Sequence, residues 1–181
     1  NICEWALEAA ENVDDPEKTA RWSLELARQF RHLREREQAI RHCQRGLEIS
    51  EKLGSRVLQA KAYHEMGMLA YERRDMEEAK SWHERALALD RALGNSPHIA
   101  ASLGKLGDIA RIQSRFAEAL VHYQESAQLS EKVGDYGALA ITYTQLGTME
   151  KYAGTLEQAR EYFLQALDNA ESSMDGTPGG S

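Results

Sequence analysis

The hexapeptide SEKLGS at residues 50–55 returns as SEKVGD at residues 130–135, and DRALGN stands between them at residues 90–95. Their glycines, Gly54, Gly94 and Gly134, are 40 residues apart, and the same spacing organises the rest of the chain. Ala20, Ala60, Ala100 and Ala140 fall in one register of this period, and Ala39, Ala79, Ala119 and Ala159 in a second. Gly67, Gly107 and Gly147 form a third, with Ala27 in the glycine's place in the first copy. A fixed period of this length is the mark of an array of structural repeats. A fainter copy, AENVDD at residues 10–15, lies one period before SEKLGS: Leu7, Glu8 and Glu11 match Leu47, Glu48 and Glu51, and Asp14 takes the glycine position. Residues 1–14 therefore read as the second-helix remnant of a preceding repeat, in an array that extended further upstream.

Each period divides into two amphipathic patterns. In the second copy, Ala60, Tyr63, Gly67 and Ala70 recur at spacings of three and four, as do Met76, Ala79, His83, Ala86 and Leu87, which predicts a pair of helices. Asp15, Ser55, Asn95 and Asp135 share the register before the first helix of each pair, where a side-chain oxygen can accept from an orphan N–H. Pro16 and Pro97 fall where a first helical turn tolerates proline. Asp75 with Glu78, and Thr155 with Gln158, have capping-box spacing before second helices. Gly54, Gly94 and Gly134 are expected to end the second helices in a left-handed conformation, with Gly154 in the tight turn inside the fourth pair. Small residues on both helices let backbones approach, with Leu47, Leu87 and Leu167 filling the space between successive pairs.

Composition agrees. The chain is 42% hydrophobic and 28% charged, with 3 proline and 7% aromatic residues, which favours a folded, all-α protein. No apolar run is long enough to cross a bilayer, and the N-terminus has no signal-peptide pattern. A net charge of −7 argues against nucleic acid or an anionic membrane as partner. Cys3 and Cys43 are too few for a disulfide framework, so a reducing, cytoplasmic setting is expected, with both thiols buried and inert. The first residue is not Met, which reads as a processed or excised piece of a longer protein.

These features resemble the tetratricopeptide repeat. Its pattern of a large residue, Leu-Gly, Ala twelve residues later, an aromatic four further and a small residue three after that is carried by Tyr63, Met66-Gly67, Ala79, His83 and Ala86. It recurs as Leu103, Leu106-Gly107, Ala119, Tyr123 and Ser126, and as Tyr143, Leu146-Gly147, Ala159, Phe163 and Ala166. The first copy departs most, with Ala27 for the glycine, Cys43 for the aromatic and Gly46 for the small residue; Ala70 and Ala110 replace a usual aromatic, and the terminal proline is missing. The resemblance implies a right-handed α-solenoid of stacked antiparallel helix pairs. Repeats are expected at 15–54, 55–94, 95–134 and 135–171, with a flexible tail or linker at 172–181. Because the period is 40 rather than the family's common 34, helices of about 17 to 19 residues, some 27 Å, are expected. Such long-helix variants are similar to those of signalling scaffolds and of the sensor arms of bacterial regulators.

The resemblance also implies protein binding in a concave groove lined by the first helix of each pair. Carried over position by position, it nominates Arg21, Arg28, Arg31, Lys61, His64, Met68, Tyr71, Lys105, Asp108, Arg111, Thr144, Thr148, Lys151 and Tyr152, beside Leu24, His32, Glu72, Ile112, Glu25, Glu65, Ala101, Gly104, Ile141 and Gln145. Seven of these are Arg or Lys and four are Asp or Glu, a net basic face on an acidic chain. An extended or helical acidic segment is the expected occupant, with Tyr71, Met68 and Tyr152 as apolar anchors. The family's clamp for a C-terminal carboxylate needs Lys and Asn where this chain has Leu24, Arg28 and Met68, so that ligand is not expected. No phosphate loop, H-E-x-x-H or G-x-S-x-G occurs, and His42 and His122 are two repeats apart, too far to share an ion. No enzyme activity, metal or cofactor is expected. The competing reading is structural: exposed solenoid ends could stack end to end or meet further repeats.

Overall fold

The computed structural model describes residues 2–175, with nothing said of the Asp175 side chain. Among them lie nine helices and no strand: α1 (Ile2–Asn12), α2 (Pro16–His32), α3 (Arg36–Lys52), α4 (Arg56–Glu72), α5 (Met76–Leu93), α6 (Ser96–Ile112), α7 (Phe116–Val133), α8 (Tyr136–Ala153) and α9 (Leu156–Asp175). The fold is all-α, and α2 to α8 have the expected 17 or 18 residues. The chain divides into two compact units between Leu93 and Gly94, each holding two of the expected helix pairs.

In the first unit α1 packs on α2, α2 on α3 and α4, and α4 on α3 and α5. Its core joins Ala20, Leu24, Ala27, Ala39, Cys43, Leu58, Ala62 and Leu69, so both alanine registers are spent on helix contact. Cys3 and Leu7 of α1 cover Leu26 of α2. In the second unit α6 packs on α7, and α8 on α7 and α9; Ala110, Ala119, Tyr123 and Leu146 form a core cluster. The family glycines receive rings. A Cβ on Gly67 would lie 2.7 Å from His83 Nε2, one on Gly107 2.6 Å from Tyr123 Cε1, and one on Gly147 2.9 Å from Phe163 Cδ1. The first copy differs at both partners together: Cys43 is smaller than a ring, and that leaves room for the methyl of Ala27.

The turns keep a stricter period than the residues in them. Asp14, Arg34, Gly54, Arg74, Gly94, Ser114, Gly134 and Gly154 all have φ between 52° and 85°, one left-handed residue every 20. Capping is less uniform than the sequence implied. Asp15 accepts from the Lys18 N–H at 3.0 Å and Asp135 from the Ala138 N–H at 2.9 Å, but Ser55 and Asn95 make no side-chain cap. The Glu78 N–H donates to Asp75 at 3.0 Å, while the Glu78 carboxylate turns to Arg73 and Trp82 instead of closing the box. Thr155 donates to the Glu150 carbonyl at 2.9 Å rather than capping α9. Helix α9 continues through Ser172–Asp175, into the stretch expected to be tail; residues 176–181 lie outside the described residues. Leu87 is buried as expected, whereas Leu167 is 57% exposed on α9.

Candidate functional site

In the first unit the nominated residues lie on α2 and α4, which pack side by side. Arg31 is the tie between them. Its Nε donates to Glu65 Oε2 at 3.1 Å and its Nη1 to Glu72 Oε1 at 3.0 Å, leaving the side chain 9% exposed. The desolvation cost works against its charge, but the two carboxylates outweigh it and raise its pKa. Arg28 bonds Glu25 at 2.5 Å and Arg21 bonds Glu17 at 3.3 Å, each within its own helix. Lys61 is exposed and has no ion-pair partner among the described residues. His64 is turned away from the face: its Nε2 lies 2.8 Å from Oδ2 of Asp90, a fully buried carboxylate on α5. Met68 and Tyr71 are half-buried.

In the second unit, Asp108 is the centre of a small network. Lys105 Nζ reaches its Oδ2 at 3.4 Å, Arg111 approaches its Oδ1 at 4.0 Å, and the Tyr123 hydroxyl donates to Oδ1 at 2.8 Å. Arg111 Nε in turn donates to the Tyr123 oxygen at 3.4 Å. Burial and the Asp108 charge push the Tyr123 phenol above its ordinary value, so it stays a neutral donor. Thr144 and Thr148 donate to the carbonyls of Ala140 and Thr144, both at 2.8 Å. Lys151 is exposed, with no ion-pair partner among the described residues, and Tyr152 is 81% exposed.

The nominated acids therefore neutralise Arg28 and Arg31 in the first unit and Lys105 and Arg111 in the second, and Glu17 pairs Arg21, which leaves Lys61 on the first unit's face and Lys151 on the second's as the cations without an ion-pair partner among the described residues. Sequence reading missed two residues that shape these faces. In the sequence Tyr123 stands only as the aromatic of the repeat pattern, whereas its ring lies against Gly107 and its hydroxyl reaches Asp108. Asp90 sits in a register held elsewhere by Ala10, Ser50, Ser130 and Ala170; a charge where the other copies carry a small residue was the available signal.

Each unit also has a cavity where the end of one first helix, the start of the next helix and the end of the following first helix meet. In the first unit it is about 380 Å³ and is lined by Arg31, His32, Arg34, Arg36, Tyr71, Glu72 and Arg74. In the second it is about 650 Å³ and is lined by Arg111, Phe116, Ala117, Leu120, Met149, Glu150, Tyr152 and Ala153.

A family model described as tetratricopeptide repeat matches residues 18–92 and 98–172. The chain belongs to the tetratricopeptide repeat family. Among solved structures, this tetratricopeptide chain is similar to aspartyl phosphate phosphatase F from Bacillus subtilis, at 14% identity and a TM-score of 0.87, over 96% of this chain and 45% of that one. It thus spans less than half the length of that protein. It is also similar to BtubC from P. vanneervenii, at 18% identity and a TM-score of 0.81, over 94% of this chain and 71% of that one. MamA aligns at 22% identity and a TM-score of 0.65, over 96% and 91% of the two chains. These likenesses show the fold. A sequence comparison with curated proteins gives no match. Among the described residues no helix is long and apolar enough to cross a membrane.

Proposed function

We propose that this tetratricopeptide chain is a non-enzymatic protein-interaction module whose first-helix faces take an acidic peptide or protein segment, as the sensor or scaffold arm of a larger regulatory protein acting in the cytoplasm. The observation that carries the reading is the surplus charge of those faces: Lys61 and Lys151 are exposed without ion-pair partners among the described residues, while every nominated acid is held by a neighbouring cation. An incoming carboxylate meets an ammonium group with no internal acid to displace, with half-buried Met68 and Tyr71 as apolar anchors on the first unit and exposed Tyr152 on the second. The test is a titration with a synthetic amphipathic peptide rich in Glu and Leu. The variant Arg28→Ala/Lys61→Ala/Arg111→Ala is expected to weaken binding about tenfold or more and to flatten its salt dependence; unchanged affinity overturns the reading.

A second reading, assembly through apolar faces, is favoured by one specific observation. Trp5 of α1 is 71% exposed, and Leu164 and Leu167 of α9 are 53% and 57% exposed, apolar side chains on the first and last described helices that a second surface would cover.

A further inference from the structure

We propose that the cavity of the first unit binds a phosphate monoester presented on a protein segment. Arg31, Arg34, Arg36 and Arg74 line it, and Glu72 is the acid among its lining residues. Arg31 and Glu72 are already bonded to each other. Arg34, Arg36 and Arg74 have no side-chain ion pair or hydrogen bond among the described residues, so three guanidinium groups meet one concavity with no carboxylate left to answer them. Like charges gathered around one concavity reinforce each other's field, and the planar fork of a guanidinium matches two phosphate oxygens at once.

Two features set this cluster apart from ordinary solvated arginines. Arg34 has φ of 62° and Arg74 of 66°, in left-handed positions where an L side chain is strained; the fourth repeat puts Gly154 at the same place. The left-handed turn recurs throughout the chain, and the corresponding turns of the second unit fill it with Ser114 and Gly154, so the turn itself does not call for an arginine. The equivalent cavity of the second unit makes the same point: Phe116 holds the register of Arg36, and Ser114 and Gly154 those of Arg34 and Arg74. One notch is apolar and its counterpart cationic, so the fold does not require the arginines. A dianion is the ligand class that three unpaired guanidinium groups discriminate from a single carboxylate.

The inference rests on the reading of the chain as a protein-binding module, since Arg31, Tyr71 and Glu72 belong to both the face and the cavity. The measurement is fluorescence anisotropy on the whole chain, with a labelled peptide carrying one phosphoserine among neutral residues and its unphosphorylated twin. Inorganic phosphate serves as competitor. The phosphopeptide is expected to bind at least tenfold more tightly than the twin. Arg34→Gly/Arg74→Gly should abolish that difference while Tm holds or rises, because glycine relieves the strained turns, so a folding defect cannot mimic the result. Equal binding of the two peptides, or a double variant that binds like the native chain, overturns the proposal. Inorganic phosphate that displaces the peptide at the peptide's own concentration makes the site one for the free ion and overturns the protein-segment assignment. The face variant Arg28→Ala/Lys61→Ala/Arg111→Ala separates the two readings: it should lose the acidic amphipathic peptide and keep the phosphopeptide. Loss of the phosphopeptide in the face variant alone, with the turn variant intact, sinks the cavity and leaves the face.

Discussion

Gly107 and Tyr123 set the terms at the residue scale, because the ring occupies the space a Cβ would need, 2.6 Å from Tyr123 Cε1. Gly107→Ala is expected to cost about 1–3 kcal/mol through overpacking, measured by chemical denaturation. The first repeat supplies the remedy: with Ala27 against Cys43 as the precedent, Tyr123→Cys should recover part of that loss in the double variant, and strictly additive losses would contradict the pairing. Cys43 itself is fully buried, and desolvation pushes its thiol up to about 12. Because the thiolate is the nucleophile, Ellman's reagent should label Cys43 at the rate of unfolding rather than at that of a free thiol. His42, stacked on Phe30 at 5.4 Å, gives a pH dependence. Burial first, then the Arg45 and Arg41 charges, hold its pKa below 6.5. Between its folded value and 6.5 the unfolded chain binds more protons, so this stabilisation is complete above pH 6.5 and is lost as pH falls through that window. Thermal melts from pH 7.5 to 5.5 should decline less in His42→Tyr, the residue that position 162 carries in the same register; equal declines would clear His42 of the effect.

At the scale of elements, the turns explain why helix boundaries were legible and side-chain caps were not. A left-handed residue every 20 positions follows from backbone geometry at each helix end, and half of those positions announced themselves as Gly54, Gly94, Gly134 and Gly154. The other half, Asp14, Arg34, Arg74 and Ser114, obey the same geometry without the residue that signals it, so the arginine cavity could not be read from composition. Ser55 and Asn95 had the right side chains for caps, yet a hydroxyl or amide that finds water competes at little cost. Ser172–Asp175 lack an apolar period, but they extend a helix already formed, and propagation needs far less than nucleation. Since nothing lies within 4 Å of a Cβ built on Gly154, Gly154→Ala should cost about 1 kcal/mol from backbone strain alone. Ser114→Gly, in the matching turn, should gain up to about 1 kcal/mol, the difference between the strain relieved and the entropy glycine adds to the unfolded chain. Denaturant midpoints that move the same way in both variants would refute a common left-handed origin.

For the whole molecule, a 40-residue period and its small-residue registers were enough to give the all-α fold, because each repeat states the same packing rule again. The candidate face was legible only as a set of positions: which cations stay free depends on neighbours such as Glu65 and Glu72 reaching Arg31 across helices, which no spacing within one helix reveals. The choice between face binding and assembly can be made by salt, because the two carry opposite electrostatic signs. A chain with net charge −7 repels its own copies, and screening removes that repulsion while leaving the burial of Trp5, Leu164 and Leu167 intact. Self-association should therefore strengthen as salt rises, whereas an acidic segment on Lys61 or on Lys151 should dissociate more readily. Sedimentation over two decades of concentration, at low and high salt, is the measurement. Assembly predicts a weight-average mass that climbs with concentration, climbs further in high salt, and falls to the monomer's in Leu164→Lys/Leu167→Lys with helicity unchanged by circular dichroism. A mass that stays monomeric throughout removes the assembly reading and leaves the first-helix faces as the surface through which the chain meets its partner.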